Sequence, residues 1–437
     1  MEWQVDNRPA FRGLDGGKYN KMFAGIKTPC YILDEAALRK NGEILASVTR
    51  DTGCKVLLAQ KAFSNYDLYP VLSEYLSGTE ASGLYEARLG AEEMPHKEVH
   101  VFSAAYRTDE FEELLKYADH IVFNSPNQLK KYGFRAKECG KSIGLRINPE
   151  CSTQEGHKIY DPCAPGSRLG TTRAMWDKLM TEELVELLDG LHFHTLCEQN
   201  ADALAATMEA VEEKFGDILP RMKWLNMGGG HHITRDDYDI ESLKMTINYA
   251  KSKWNLEIYV EPGEAVALNA GYLASRVLDI TQNGDTRIAI LDVSAACHMP
   301  DVIEMPYTPP LYGAKAVESV TELKNVTERT TVEKADGIEF SCEDDKGNGK
   351  QEIYRLAGPT CLAGDVIGDY SFKRELQVGD MLLFGDMAIY STCKNNTFNG
   401  MPLPSILKRC EDGTLEVLGE FGYNDFKMRL GRTKQEE

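Results

Sequence analysis

The feature that most constrains the fold is a regular alternation of short β-type runs with helical segments between residues 55 and 260. The intervening stretches, such as 108–118 and 203–215, carry apolar residues at helical spacing. Because each return between strands is helical, the strands must run parallel, and eight repeats over roughly 230 residues match a (β/α)8 barrel. An open doubly wound sheet is the alternative, but it would carry a glycine-rich turn after the first strand, where this chain has Lys61-Ala-Phe-Ser. The predicted strands are 55–60, 79–82, 99–103, 120–124, 142–148, 191–195, 224–227 and 257–260.

The pattern changes after about residue 275. The runs 287–293, 337–340, 352–356 and 381–384 are separated by Gly, Pro and Asn rather than by helices. This spacing predicts a second, mainly antiparallel β domain. The run 29–34 precedes the first barrel helix and is expected to pair with that sheet. We therefore predict a barrel domain at 38–275 and a discontinuous β domain made of 1–37 and 276–437.

The charge and cysteine content indicate the class of partner and the compartment. A formal net charge of -19 makes nucleic acid and anionic membranes poor partners, whereas cationic small molecules are favoured. The 11 cysteines show no C-x-x-C pair, as expected for reduced thiols in the cytoplasm. The first residues resemble no signal peptide, and no run of 18 apolar residues occurs. We expect a soluble cytoplasmic protein with no membrane segment.

Lys61 is the first candidate for chemistry, because barrel enzymes place their active sites at the carboxyl ends of the strands. It closes the apolar run 55–60. A lysine buried there would favour its neutral amine, which can attack an aldehyde to form a Schiff base. The alternative is a lysine that caps the strand and reaches into water.

Two histidines at the end of the sixth predicted strand allow two interpretations. His192 and His194 are two residues apart and would project from the same face of a strand. They could form a metal pair, completed by His231 and His232, as in metal-dependent hydrolases. Alternatively, one imidazole stacks on a flat cofactor while the other packs. From these residues alone, the two interpretations are about equal.

Two further motifs follow the last two predicted strands. Gly228, Gly229 and Gly230 come where a helix is expected to begin, and their backbone amides would suit a phosphate. A plain flexible turn is the alternative. Glu261, stiffened by Pro262 and Gly263, would suit a pyridinium nitrogen and keep it protonated. A surface acid in a turn is the alternative there.

Taken in order, these motifs resemble the pyridoxal-phosphate decarboxylases of the alanine-racemase-like fold, which include ornithine, arginine and diaminopimelate decarboxylases. The resemblance covers nearly the whole chain. The stretches 261–265, 292–307 and 356–365 are similar to the branch that decarboxylates carboxynorspermidine and carboxyspermidine in polyamine synthesis. The motifs that carry the resemblance are Lys61, His194, Gly228–Gly230, Glu261, Cys361 with Asp365, and Tyr390.

The resemblance implies pyridoxal 5′-phosphate as cofactor, with Lys61 bound to its aldehyde. His194 would stack on the ring, Arg146 would lie near its phenolic oxygen, and Glu261 would pair with its nitrogen. The phosphate would be bound by two further elements, Gly228–Gly230 and Tyr390. No metal is implied.

The resemblance also implies how the reaction ends and how the site is assembled. Cys361 would protonate the carbon that loses carbon dioxide. Cys361 and Tyr390 would reach the barrel of a partner subunit, so that a homodimer shares its active sites.

Glu264 departs from the wider family, in which an arginine aimed at the phosphate usually follows Glu-Pro-Gly. A carboxylate there would repel phosphate, so we expect Glu264 to meet a cationic nitrogen of a polyamine substrate. Asp301 and Asp365 are assigned to the substrate as well. Two alternatives stay open, a decarboxylase of a shorter diamino acid (diaminopimelate, ornithine or arginine) and a non-catalytic pyridoxal-phosphate carrier.

Overall fold

The computed structural model describes residues 9–11, 23, 25–154, 160–317 and 352–431. The predicted run 337–340 therefore lies outside the described residues. The strands are β1 Cys30–Asp34, β2 Lys55–Ala59, β3 Gly78–Ala81, β4 Glu98–Phe102, β5 His120–Phe123, β6 Ser142–Arg146, β7 Gly190–His192, β8 Trp224–Asn226, β9 Glu257–Val260, β10 Gly271–Asn283, β11 Thr286–Leu291, β12 Ala314–Ala316, β13 Glu352–Ala357, β14 Val366–Phe372, β15 Met381–Gly385, β16 Ser405–Arg409 and β17 Leu415–Gly419.

The helices alternate with the strands in the first part of the chain and become short and sparse in the second. They are α1 Glu35–Thr52, α2 Tyr69–Ser73, α3 Leu84–Glu93, α4 Phe111–Leu114, α5 Pro126–Glu138, α6 Arg173–Leu179, α7 Glu182–Leu187, α8 Ala201–Phe215, α9 Ile240–Trp254, α10 Glu264–Ala267, α11 Ala295–His298, α12 Asp301–Glu304 and α13 Tyr423–Met428.

The chain divides into two compact units, and Leu38–Leu268 is the barrel unit. Strands β2 to β9 pair in chain order, all parallel, and β9 pairs with β2 to close the barrel. The predicted (β/α)8 barrel is confirmed, and closure excludes the open sheet. Each predicted strand matches an observed one, although several end one to three residues earlier than expected.

The interior of the barrel is filled by large side chains from several strands. Trp224 packs there with Leu57, Val122 and Tyr259. Two glycines make room for its indole, since a Cβ at Gly190 would lie 2.0 Å from the ring and one at Gly144 would lie 2.4 Å from it. The barrel is therefore a packed core rather than an open channel.

The second unit combines the residues up to Ala37 with those from Asn269 onward. Its nine-stranded sheet has the order β12-β14-β13-β11-β10-β1-β16-β17, with β15 also paired to β10. Most pairings are antiparallel, but β1 with β16 and β11 with β13 are parallel. The predicted pairing of the early run 29–34 with this sheet is confirmed. Because the long strand β10 starts at Gly271, the barrel unit ends at Leu268, before the predicted boundary at 275.

Local signals fix several helix ends. Ser125 accepts a hydrogen bond from the amide of Gln128, and Pro126 occupies the first turn of α5. Asp239 caps α9 in the same way through the amide of Ser242. This helix ends at Asn255, whose left-handed backbone (φ 53°) stops it. None of the described helices combines the length and apolar character needed to cross a membrane.

Candidate active site

A cluster of ionisable side chains lies at the carboxyl ends of the barrel strands. The groups are close enough to perturb one another, because the charges of Lys61 and Arg146 lower the pKa of His194, and that of Glu261 raises the pKa of Glu80. The strand ends therefore bring together residues that are widely separated in sequence. The members of this cluster are Lys61, Glu80, Arg146, His192, His194 and Glu261.

Glu261 is a buried, ionised carboxylate held by two donors. Nε2 of His192 lies 3.1 Å from Oε2, and Nδ2 of Asn226 donates to Oε1 at 2.6 Å. Burial raises the pKa of Glu261, but His192, the charge of His100 and the Asn226 hydrogen bond together outweigh it, and the net shift is downward. Burial lowers the pKa of His192, so a neutral imidazole donates from Nε2 to the carboxylate.

Glu80 is a second buried carboxyl, and its surroundings favour the neutral form, unlike those of Glu261. Its residue is 5% exposed, and burial together with the charge of Glu261 raises its pKa well above the ordinary value. The environment of Glu80 therefore favours its protonated form. Glu80 lies in the predicted strand 79–82 and is not among the predicted site residues, although an acid inside a buried four-residue strand is a signal that could have found it.

His194 lies just beyond β7 and is fixed by the backbone. Its Nδ1 accepts a hydrogen bond from the amide of Gly229 at 2.9 Å, and its carbonyl accepts one from Arg146 at 3.0 Å. Burial lowers the pKa of His194 well below its usual range, and the charges of Lys61 and Arg146 lower it further. The neutral ring therefore carries its proton on Nε2.

Arg146 supplies a charge that is held inside protein. Burial lowers its pKa to about 10, which still leaves it charged at neutral pH. Its guanidinium lies 4.5 Å from the ring centroid of Phe102, and that ring stacks on His192 at 5.5 Å. The aromatic contacts keep the guanidinium and the imidazole of His192 in place.

The glycine run is required by close packing between strand ends. A Cβ at Gly228, Gly229 or Gly230 would lie 2.1 to 2.3 Å from a backbone oxygen of Phe193, Glu261 or Leu196, respectively. Gly228 and Gly230 also have positive φ, of 70° and 82°. The amide of Gly228 already donates to Asn226, as that of Gly229 does to His194. The expected helix start is wrong, because α9 begins only at Ile240.

The loops after β7, β8 and β9 are joined beside this glycine run. The amide of Gln199 donates to Gly230, and that of His232 donates to Gln199. His231 and His232 are both buried, at 1% and 7% exposure. Nε2 of His232 lies 3.2 Å from Oε2 of Glu264, which is an ion-pair distance. Within the described part of the chain, both ring nitrogens of His232 and both of His231 are buried without a well-aligned hydrogen bond.

Lys61 differs from the expectation in one respect, because its side chain is exposed rather than buried. Strand β2 ends at Ala59, and a tight turn follows in which Ala62 donates to Ala59 and Phe63 donates to Gln60. The buried side chains of this turn are those of its neighbours, so Lys61 projects from it. Its charge nevertheless reaches His194 and Glu80.

The sheet unit carries the remaining predicted residues, and Cys361 lies in its loop between β13 and β14. The thiol is exposed, and the backbone amide of Cys361 donates to Asn399 at 2.7 Å. Asp365 is buried and organises this loop, accepting hydrogen bonds from the amide of Ala295 and from the hydroxyl and amide of Thr360. No disulfide joins any of the cysteines that the structure describes.

Asp301 and Tyr390 have a common neighbour in Lys394. Asp301 forms an ion pair with Lys394, which also pairs with Glu304 at 2.5 Å. The ammonium group of Lys394 lies 5.9 Å from the ring centroid of Tyr390, whose backbone has a positive φ of 47°. The charge of Asp301 is thus balanced within the sheet unit, and its assignment to the substrate stays a prediction.

The alternative metal pair of His192 and His194 has no support in the geometry. Nε2 of His192 is engaged by Glu261, and Nδ1 of His194 by Gly229. Among the described residues, neither of the two groups of side chains that are close enough to share a metal ion includes His192 or His194.

Comparison with known proteins identifies the family of the chain. Residues 30–388 match a family model described as pyridoxal-dependent decarboxylase, C-terminal sheet domain. The chain belongs to this family. It is 41% identical, over 93% of its length and 100% of the relative, to a carboxynorspermidine/carboxyspermidine decarboxylase from Campylobacter jejuni. It is also 37% identical, over 94% of its length and 97% of the relative, to a carboxyaminopropylagmatine decarboxylase from Synechocystis.

A crystal structure of carboxynorspermidine decarboxylase from Campylobacter jejuni in complex with norspermidine superposes on the chain with a TM-score of 0.79, at 40% identity. The match covers 92% of this chain and all of the other. Membership of a pyridoxal-dependent decarboxylase family therefore rests on the whole fold and on both units.

The residues at the barrel strand ends fit the cofactor of this family. Glu261 is an ionised carboxylate, which can hold a protonated ring nitrogen. The unbonded, buried nitrogens of His231 and His232 are polar groups that need a partner, and they adjoin the glycine run. Lys61 provides an exposed amine beside the cluster.

Proposed function

We propose that this protein is a pyridoxal 5′-phosphate-dependent carboxy-lyase that decarboxylates carboxynorspermidine, carboxyspermidine or both, yielding norspermidine or spermidine. The observation that carries the proposal is the full-length match, at 40% identity and a TM-score of 0.79, to a carboxynorspermidine decarboxylase bound to norspermidine. The acidic charge of the chain also suits a cationic polyamine substrate.

The barrel residues have complementary parts in holding the cofactor. Lys61 would bind its aldehyde, and Glu261 would keep its ring nitrogen protonated because His192 and Asn226 hold the carboxylate ionised. Neutral His194 would stack on the ring without adding a charge, and Arg146 would lie near the phenolic oxygen. When bound, pyridoxal phosphate draws off the electron pair left by the departing carboxylate.

The sheet unit would complete the reaction. Cys361 would donate the proton of its Sγ to the carbon that has lost carbon dioxide, which is general acid catalysis. The loop that carries Cys361 is held by Asp365, so we assign Asp365 first to positioning. Tyr390 would join the glycine run at the cofactor phosphate.

We further propose that the protein acts in the cytoplasm as a homodimer. In this arrangement, the sheet unit of each copy supplies Cys361 and Tyr390 to the barrel of the other. A mixture of Lys61→Ala and Cys361→Ala chains tests this arrangement, since shared sites restore part of the activity that each variant lacks alone. Activity that stays at the level of the single variants in dissociated and reassembled mixtures would refute it.

Carboxyaminopropylagmatine is a second candidate substrate, favoured by the relative at 37% identity over nearly the full chain. Diaminopimelate is a weaker candidate, because its second carboxylate would meet a like charge at Glu264. Ornithine and arginine are weaker candidates because the relatives at 41% and 37% identity are named for larger carboxylated amines. The non-catalytic carrier is set aside, since the full-length relatives are decarboxylases.

The deciding experiment measures carbon dioxide release from carboxynorspermidine, carboxyspermidine, carboxyaminopropylagmatine, diaminopimelate, ornithine and arginine under identical conditions. We expect the highest kcat/KM with a carboxylated triamine. Faster turnover of a diamino acid would overturn the substrate assignment.

Lys61→Ala tests the cofactor assignment separately. The protein with added pyridoxal phosphate should show the visible absorption band of a lysine-bound aldehyde, and the variant should lose it. Lys55→Ala is the matched control, because Lys55 lies at the opposite end of the same strand, where it pairs with Glu98. An unchanged band in Lys61→Ala would remove the proposed role of Lys61.

A further inference from the structure

The loops after the seventh and eighth barrel strands are where barrel enzymes commonly bind phosphate groups. In this chain those strands are β8 and β9, and their loops are 227–239 and 261–263. The first loop opens with the glycine run, and the second leads directly into Glu264. The side chain of Thr234 ties them together, donating to the carbonyl of Ala265 at 2.6 Å.

Glu264 is a difficulty for a phosphate at this place. Two negative groups repel each other strongly where water is partly excluded. The side chain of Glu264 is only 19% exposed, so solvent screens it incompletely. A phosphate can remain in this part of the site only if a cation offsets the carboxylate.

His232 is the side chain placed to supply that cation. Its Nε2 lies 3.2 Å from Oε2 of Glu264, and its backbone is held by hydrogen bonds from its own amide to Gln199 and from the amide of Arg235 to its carbonyl. Neither ring nitrogen makes a hydrogen bond with any described residue; Nε2 has its ion-pair contact with Glu264, and the buried Nδ1 is left without an acceptor. A buried donor without a partner is costly, so this nitrogen calls for an acceptor that the bound state provides.

The charges around His232 favour its protonated form. Burial lowers the pKa of His232, but Glu264 outweighs it, and Glu198 from the loop after β7 acts in the same direction. Arg235, on the same loop as His232, opposes them weakly and is itself paired with Asp237 at 2.5 Å. The net shift is upward from the ordinary histidine value.

We propose that His232, as an imidazolium paired with Glu264, donates from Nδ1 to the phosphate of the bound cofactor. This inference rests on the proposed function. It gives Glu264 a role in charging His232, in place of the predicted direct contact with a substrate nitrogen. His232 then supplies the positive charge that residue 264 lacks.

Equilibrium titration of the cofactor-free protein with pyridoxal 5′-phosphate and with pyridoxal, which lacks the phosphate, tests the proposal without measuring turnover. A hydrogen bond to a charged group is worth about 1.5 to 3 kcal/mol, so His232→Gln should weaken pyridoxal phosphate binding by about 10-fold to 150-fold. Pyridoxal binding should change by less than about twofold. Arg235→Gln is the matched control, since it removes a positive charge from the same loop outside the proposed contact, and it should preserve the affinity ratio of the two ligands.

The pH dependence of the unmodified protein provides a test that needs no variant. Because the pKa of His232 is raised, its charge is present at low pH and is lost as the pH rises through that pKa. The ratio of pyridoxal phosphate affinity to pyridoxal affinity should therefore fall as the pH rises above the ordinary histidine pKa of about 6.5. Glu264→Gln should move this fall to lower pH.

The outcomes separate this inference from the proposed function. If the unmodified protein binds neither ligand, the proposed function fails. If it binds both, and His232→Gln keeps the same preference for pyridoxal phosphate, the inference fails while the function stands. If Glu264→Gln raises the KM for the polyamine but leaves the affinity ratio unchanged at every pH, Glu264 contacts the substrate and the inference is overturned.

Discussion

The substitution Asn226→Asp replaces an amide group by a carboxyl group at the centre of the site. The stability that the protein loses should depend on pH. Asn226 is fully buried and serves two neighbours. Its Nδ2 donates to Glu261 at 2.6 Å, and its Oδ1 accepts from the amide of Gly228 at 2.9 Å. The substitution keeps the second hydrogen bond but replaces the donor to Glu261 with an oxygen.

Two ionised carboxylates at that distance in a buried site are too unfavourable to persist, so the folded variant should hold one extra proton between them. The unfolded chain releases this proton above the ordinary aspartate pKa of about 3.9. The folded state of the variant thus binds one more proton than the unfolded state, and its stability relative to the parent falls as pH rises. The slope is about 1.4 kcal/mol per pH unit.

The destabilisation should therefore be about 1.5 kcal/mol at pH 5 and about 4 kcal/mol at pH 7, provided that the shared proton is held above pH 7. Urea unfolding followed by tryptophan fluorescence measures it, since Trp224 reports on the barrel interior. Asn283→Asp is the matched control, because Asn283 is exposed in β10 and the same change should stay within about 0.5 kcal/mol at each pH. Equal destabilisation by Asn226→Asp at pH 5 and pH 7 would refute this reasoning.

Three further changes probe the site. Glu80→Gln should stabilise the fold at pH 7, because the folded state holds Glu80 protonated while the unfolded state ionises it. This gain in the free energy of unfolding should vanish below about pH 4, where the unfolded chain is protonated as well. A gain at pH 7 that persists at pH 4 would contradict this. Gly229→Ala places a Cβ 2.3 Å from the carbonyl of Glu261 and 3.2 Å from the His194 ring. It should therefore destabilise the protein by about 1 to 3 kcal/mol in urea unfolding and weaken the visible absorption band of the cofactor. Stability and a spectrum equal to those of the parent protein would show that the loop can shift to accept the Cβ. Cys361→Ala should lower kcat by about 100-fold to 10,000-fold in the carbon dioxide assay with little change in cofactor affinity, as expected for the loss of a general acid. An unaltered kcat would exclude the thiol of Cys361 as the proton donor.

The barrel could be predicted from the sequence because its signal is periodic and repeated. Each β-type run is short and apolar, and each is followed by a helical segment, so errors at single boundaries do not alter the count. The pairing of distant strands in the sheet could be predicted from the sequence only in part. The early run 29–34 was recognised as a strand because it is β-like and isolated, but its parallel neighbour β16 carries no comparable signal.

Site residues were predictable where a motif exposes them and were missed where the three-dimensional environment defines them. Glu261 is marked by the following Pro-Gly, whereas Asn226 and Glu80 look like ordinary strand residues. The burial of Lys61 was wrong because a local run does not reveal where a strand ends. The helix expected after the glycines was wrong for a similar reason, since these glycines serve close approach to three backbone carbonyls.

The two buried carboxyls show why charge state cannot be read from residue type. Glu80 and Glu261 are both acids at strand ends of one barrel and are equally exposed, at 5%. Glu261 has two side-chain donors from neighbouring strands, which favour its ionised form. Burial raises the pKa of Glu80, and the charge of Glu261 raises it further. Removing the Asn226 donor should narrow the difference in pKa between the two acids, because the ionised form of Glu261 would then be less stabilised. The site thus selects one carboxylate for the ring nitrogen through hydrogen-bond donors contributed by β7 and β8, the strands that precede β9 and its Glu261.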